Sequence, residues 1–84
     1  MGNLYITPNA KESLDPFDVG RGLMRHVTGD WGDMDRHDQE ANRQALFDGG
    51  RIFSAFWSVV GCKRFWVITE ADRASTTVLM PEDY

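Results

Sequence analysis

Residues 29–38, GDWGDMDRHD, set Asp30, Asp33, Asp35 and Asp38 around His37, with His26 a few positions upstream. Carboxylates and imidazoles this dense can ligate a metal, move protons or present negative charge, and spacing separates the three. Asp33 and His37 stand four apart, on one face of a helix, but the zinc motif H-E-x-x-H is missing. A calcium loop starting at Asp33 fails at its sixth position, where glycine is required and Asp38 stands. No metal site is therefore expected.

Acid–base catalysis has Glu70, Asp72, His26 and His37 as candidates. A chain of 84 residues has little room for an enclosed pocket, and catalytic pockets run to about 300–1,000 Å³. No G-x-S-x-G, phosphate loop or dinucleotide fingerprint occurs. Cys62 is the single thiol, so it can form no internal disulfide. Its expected hairpin-turn setting supplies no helix N-terminus to activate it, and a buried or half-buried thiol is expected. The chain reads as non-enzymatic and without a cofactor.

What remains is charge. Thirteen acids against nine bases give a net charge of −4 and a pI near 4.9, which disfavours direct binding to duplex DNA and suits a basic partner. Between Asp30 and Glu40 five acids face Arg36 alone, so Asp30, Asp33, Asp35, Asp38 and Glu40 are the candidate contact residues. The alternative is single-stranded nucleic acid on Lys63, Arg64, Phe65 and Trp66, where aromatic rings beside cations can stack bases. The N-terminus shows no secretory pattern, and no apolar run reaches the roughly 18 residues of a membrane span. A soluble, cytoplasmic protein is expected.

These side chains need elements to hold them. NLYIT (3–7) reads as a strand, PNAKESLDP as a polar connection, and Asp15-Pro16 as the cap and first residue of a helix. Val19, Leu23 and Val27 form its inward stripe, with Phe17 and Met24 at the margins, and Gly29 ends it. Gly20 and Gly22 point to close helix–sheet approach. Asp33 or Asp35 caps a second, thinly apolar helix (Met34, Ala41, Ala45, Leu46) that runs to about Phe47 before Gly49-Gly50. From Arg51 the period becomes two. RIFSAFWSVV and RFWVIT, joined through Gly61-Cys62-Lys63, read as a hairpin; EADRAS is a turn and TTVLM the last strand. The expectation is one domain, α+β: a β-α-α-β-β-β two-layer sandwich, with an antiparallel meander carrying two helices on one face. Alternation puts Ile52, Ser54, Phe56 and Ser58 on one sheet face and Phe53, Ala55, Trp57 and Val59 on the other. The second face is then a surface for a partner or a second copy (a homodimer), with Trp57 and Trp66 as anchors, or chain ends cover it.

The segments RHVTGDWGDMDRHDQEAN, GGRIFSAF and FWVITEADRASTTVLMPEDY resemble a family of short proteins encoded on plasmids, integrative elements and phages, some labelled as restriction-system subunits. The resemblance spans roughly residues 20–84. It includes Gly29, Asp30, Trp31, Gly32, Asp33, Asn42, Gly50, Arg51, Thr69, Glu70, Asp72, Arg73, Thr76 and Thr77, and gives none of them a catalytic role. It implies a mobile-element setting, in which small acidic proteins inhibit host defence by mimicking DNA. The expected function is an anti-CRISPR-like inhibitor that binds a type I surveillance complex, a host nucleoprotein with a basic groove, and blocks DNA recognition.

Overall fold

A computed structural model describes residues 2–84. The chain runs β1 (Asn3–Ile6), α1 (Pro8–Ser13), α2 (Pro16–Val27), α3 (Arg36–Asp48), β2 (Ile52–Trp57), β3 (Arg64–Thr69) and β4 (Ser75–Leu79), then a 3-10 turn at Pro81–Asp83. The α+β two-layer architecture is as expected, with two refinements. The stretch read as a connection holds α1. Pro8 opens that helix at a position where a missing N–H costs nothing, and Thr7 Oγ1 accepts the Ala10 N–H at 3.1 Å. The sheet is mixed, in the order β1-β4-β3-β2. β2, β3 and β4 form the antiparallel meander, and β1 pairs parallel to β4.

Helices α1 and α2 cover one sheet face. Ala10 and Leu14 pack on Phe56, Phe65, Val67, Val78 and Met80, with Val19 and Leu23 closing over them. Asp15 caps α2 by accepting the Phe17 N–H at 2.9 Å. The inward stripe is rotated by one residue from the apolar count, so that Asp18, Gly22 and His26 are buried while Val27 is half exposed. Gly22 sits where a Cβ would lie 2.7 Å from the Phe65 ring, as close approach requires, whereas Gly20 faces open space.

Helix α3 lies along the outer edge of β2 rather than on the sheet face. Asn42, almost fully buried, donates to the Phe53 carbonyl at 2.7 Å and accepts the Phe53 N–H at 3.0 Å. Two residues along, Ala55 donates to the Trp31 carbonyl at 3.1 Å and accepts from Asp33 N–H at 2.8 Å. An edge strand's outward groups invite another chain; here a side-chain amide and the 31–33 segment satisfy them. Asn42→Ala leaves both Phe53 groups unpaired and should cost about 2 kcal/mol, read as a lower urea midpoint. A rise in self-association by light scattering should accompany it.

The other sheet face is covered in part by the chain's end. The 3-10 turn is held by Asp83, which accepts from Thr7 Oγ1 at 2.6 Å and from the Met80 N–H at 3.1 Å. Tyr84 then meets Trp66 edge-on at 5.6 Å and receives the Arg51 guanidinium at 3.0 Å on its hydroxyl. Ile68 and Leu79 are buried beneath, and Trp66 is half-buried against Phe53 at 4.9 Å. Trp57 stays exposed. Val59 and Val60 leave the hairpin strand because the Asp18 carboxylate accepts both their N–H groups, at 3.0 and 3.1 Å. Those two bonds hold Asp18 below the usual carboxylate range. Cys62, expected buried or half-buried, is exposed in the same turn at φ 48.

Candidate functional site

The acidic segment folds as a loop leading into a helix, and most of its carboxylates have partners within the chain. Asp30 takes a two-pronged bond from Arg25 (2.8 and 3.2 Å) and accepts the Gly32 N–H at 3.1 Å. The Arg25 contact is the main reason its carboxyl sits below the usual range. Arg25 also lies over the Phe56 ring at 4.7 Å, so the pair fastens the loop to α2 and the core. Asp33 accepts from Arg64 at 2.8 Å and from the Trp57 indole at 3.3 Å, and these two bonds, Arg64 first, lower its carboxyl as well. Asp35 is the α3 N-cap, accepting the Asp38 N–H at 2.8 Å. Glu40 pairs with Arg43 at 2.8 Å. Asp38 is exposed in the first helical turn, where the helix dipole favours its charge.

The five acids therefore do not form one uncompensated patch: Asp30, Asp33 and Glu40 each hold an arginine. The expected tryptophans also separate. Trp57 is exposed beside Asp33 with Arg64 stacked on its ring at 5.2 Å, whereas Trp66 is wedged between Phe53 and Tyr84. The basic–aromatic alternative is not assembled as one surface. Phe65 lies in the core on the opposite face from Trp66, the Lys63 ammonium rests on the Ser13 carbonyl at 3.1 Å, and Arg64 is committed to Asp33. Among the described residues no group of three or more His, Cys, Asp or Glu side chains is placed to hold a metal. Nor is any helix long and apolar enough to cross a membrane.

A second polar cluster was not anticipated from spacing. His26, 5% exposed, bonds Ser54 Oγ through Nδ1 and Thr69 Oγ1 through Nε2 at 2.8 Å, and Thr69 continues to Thr76 Oγ1 at 2.8 Å. The row crosses β2, β3 and β4 beneath the C-terminal turn of α2. Burial drives the His26 pKa down to about 4, so the ring is neutral near pH 7. A cleft of about 560 Å³ opens beside it, with Trp31, Leu46 and Ile52 as apolar walls and Arg73 at its side. The signal that could have shown this site is the spacing of Asp18, Gly22 and His26 at i, i+4, i+8, a polar and small stripe that looks like a solvent face.

No protein-family model, curated protein or solved structure matches this chain.

Proposed function

We propose that the protein is a non-enzymatic inhibitor from a mobile element, which binds a basic groove on a host nucleoprotein defence complex of the type I CRISPR class and blocks DNA recognition. The reading rests on the family resemblance together with one surface. Helix α3 presents Asp38 and Glu40 near its start and Phe47, 88% exposed, at its end. Phe17 and Met24 continue the exposed apolar area along α2, with Val27 and Leu46 lining the cleft between the two helices. Apolar side chains exposed in this number mark interaction surfaces more often than solvent faces. Glu40, seven residues before Phe47 and on its side of α3, steers a basic partner there, and Asp38 adds negative charge on the opposite side of the helix start. The charged contact thus narrows from five acids to Asp35 and Asp38, which hold no arginine, and Glu40, whose single exposed bond to Arg43 is weak. The anchoring role shifts from the sheet tryptophans toward α2 and α3.

Tagged protein purified from its bacterial host should retain a nucleoprotein complex. The double variant Asp38→Lys/Glu40→Lys leaves the Asp35 cap in place and should keep the fold by circular dichroism. It should weaken that retention about tenfold or more, equivalent to ~1.4 kcal/mol. Undiminished retention by a folded double variant removes the electrostatic reading.

A further inference from the structure

Arg73 differs from every ion-paired arginine described above. Arg25, Arg43, Arg51 and Arg64 each reach a carboxylate; Arg73, half-buried, is bonded only to carbonyls. Its Nη1 donates to Gly50 O at 2.6 Å and Glu70 O at 3.3 Å, and its Nη2 to Ala45 O at 3.1 Å. No bond among the described residues uses Nε–H, and Nη2 makes only one; Nε and Nη2 together form the side edge of the guanidinium. That edge is the fork matching the two oxygens of a carboxylate or phosphate. The residue also sits at φ 62, a left-handed conformation that costs a side-chain-bearing residue roughly 1–2 kcal/mol. A turn alone is served more cheaply by glycine or asparagine, so the position holds this side chain against a local preference.

Arg73 lines the α2–α3 cleft, and no carboxylate lines it. The cleft thus combines one uncompensated cation with apolar walls at Trp31, Val27, Leu46 and Ile52 and a polar floor at His26 and Thr69. Its volume lies within the usual range for small-molecule sites, about 300–1,000 Å³. We propose that it binds a small organic anion, a flat ring body carrying one phosphate or carboxylate. The anionic group lies on the Nε/Nη2 edge of Arg73 and the ring between Trp31 and Leu46. One cation calls for one anionic group, and the apolar walls call for a ring larger than the anion itself. The cleft shares Val27 and Leu46 with the proposed partner surface, but small-anion binding needs no partner and is read on the protein alone.

The test is titration of ¹⁵N-labelled protein with AMP, benzoate, adenosine and inorganic phosphate, following the Arg73 Nε–H and Trp31 indole signals. Either ring anion should shift both signals, the choice between AMP and benzoate telling phosphate from carboxylate, and adenosine should bind at least tenfold more weakly than AMP. Leu46→Trp fills the mouth from an exposed position, so folding is not at risk, and should abolish the shifts. Several results overturn the proposal. They are no shift with either ring anion up to about 10 mM, where even millimolar affinity would be seen; binding of inorganic phosphate alone; adenosine binding as tightly as AMP; or undiminished shifts in folded Leu46→Trp.

Discussion

Lowering the pH from 7 to 4 should remove about 3 kcal/mol of stability through one buried side chain. The cause is His26. Its folded pKa is pushed down to about 4 from 6.5 by burial, so between those values the unfolded chain binds a proton that the folded chain refuses. Stability is then full above pH 6.5, falls as pH drops through the window, and levels near pH 4. The difference of about 2.5 pKa units corresponds to ~3 kcal/mol at 1.36 kcal/mol per unit. Refusal has a structural reason. Ser54 and Thr69 hydroxyls can accept from an imidazolium, but the ring is buried and the groups around it supply no carboxylate. Asp18, Asp30, Asp33 and Asp83 have lowered pKa values. Their stabilisation is present well above the usual carboxylate value of about 3.8 and starts to be lost from about pH 5 downward. The loss between pH 7 and 5.5 therefore lies in the histidine window, and the carboxylates add to it toward pH 4. Urea unfolding at pH 7, 5.5 and 4 measures the slope. His26→Gln should flatten it from a lower starting stability. A flat wild-type profile from pH 7 to 4 refutes the assignment.

The same histidine shows where the sequence was legible and where it was not. Local signals carried well: the Asp15-Pro16 start of α2, the Asp35 cap, Gly49 in the left-handed conformation at the end of α3, and the alternation across the meander. Each depends on residues a few positions apart. The phase of α2 did not carry, because counting apolar residues selects Val19, Leu23 and Val27, while the strands below offer the hydroxyls of Ser54, Thr69 and Thr76. A histidine fits hydroxyls and a valine does not, so the helix turns by one residue. Pairing across long separations was equally hidden. Asp33 looked available until Arg64, far along the chain, was placed beside it, and Arg73 looked like a turn charge until its bonds to the carbonyls of Ala45 on α3 and of Gly50 just beyond it were known. Helix α3, expected on the sheet face beside α2, sits instead at the β2 edge, a seat that follows from Asn42 meeting Phe53, which no periodicity encodes.

Replacing Gly32 by alanine should be strongly damaging, costing about 3 kcal/mol or more. Gly32 has φ +73, and a Cβ there would lie 2.2 Å from the Ala55 carbonyl oxygen and 2.6 Å from the Phe56 ring. The first contact is with backbone, so no side-chain rotation relieves it. Two costs add: roughly 1–2 kcal/mol for the left-handed conformation and about 1–3 kcal/mol for forcing an overpacked contact apart. Moving away means breaking the bridge in which Trp31 and Asp33 close the edge of β2 at Ala55. Trp31 then leaves the cleft wall, and Asp33 loses its reach to Trp57 and Arg64. For a domain of this size 3 kcal/mol corresponds to a melting shift of roughly 12–24 °C. Two further glycines separate the contributions. Gly29 has φ +87 with nothing near its Cβ position, so Gly29→Ala should cost only the conformational part, about 1 kcal/mol. Gly20 lies inside α2 facing open space, and Gly20→Ala should stabilise by about 0.5–1 kcal/mol, since alanine is the better helix former. Thermal melts of the three variants should therefore rank Gly20→Ala above wild type, Gly29→Ala slightly below, and Gly32→Ala far below. If Gly32→Ala costs no more than Gly29→Ala, the 31–33 segment does not close the sheet edge, and the GDWGD loop is only a helix connector.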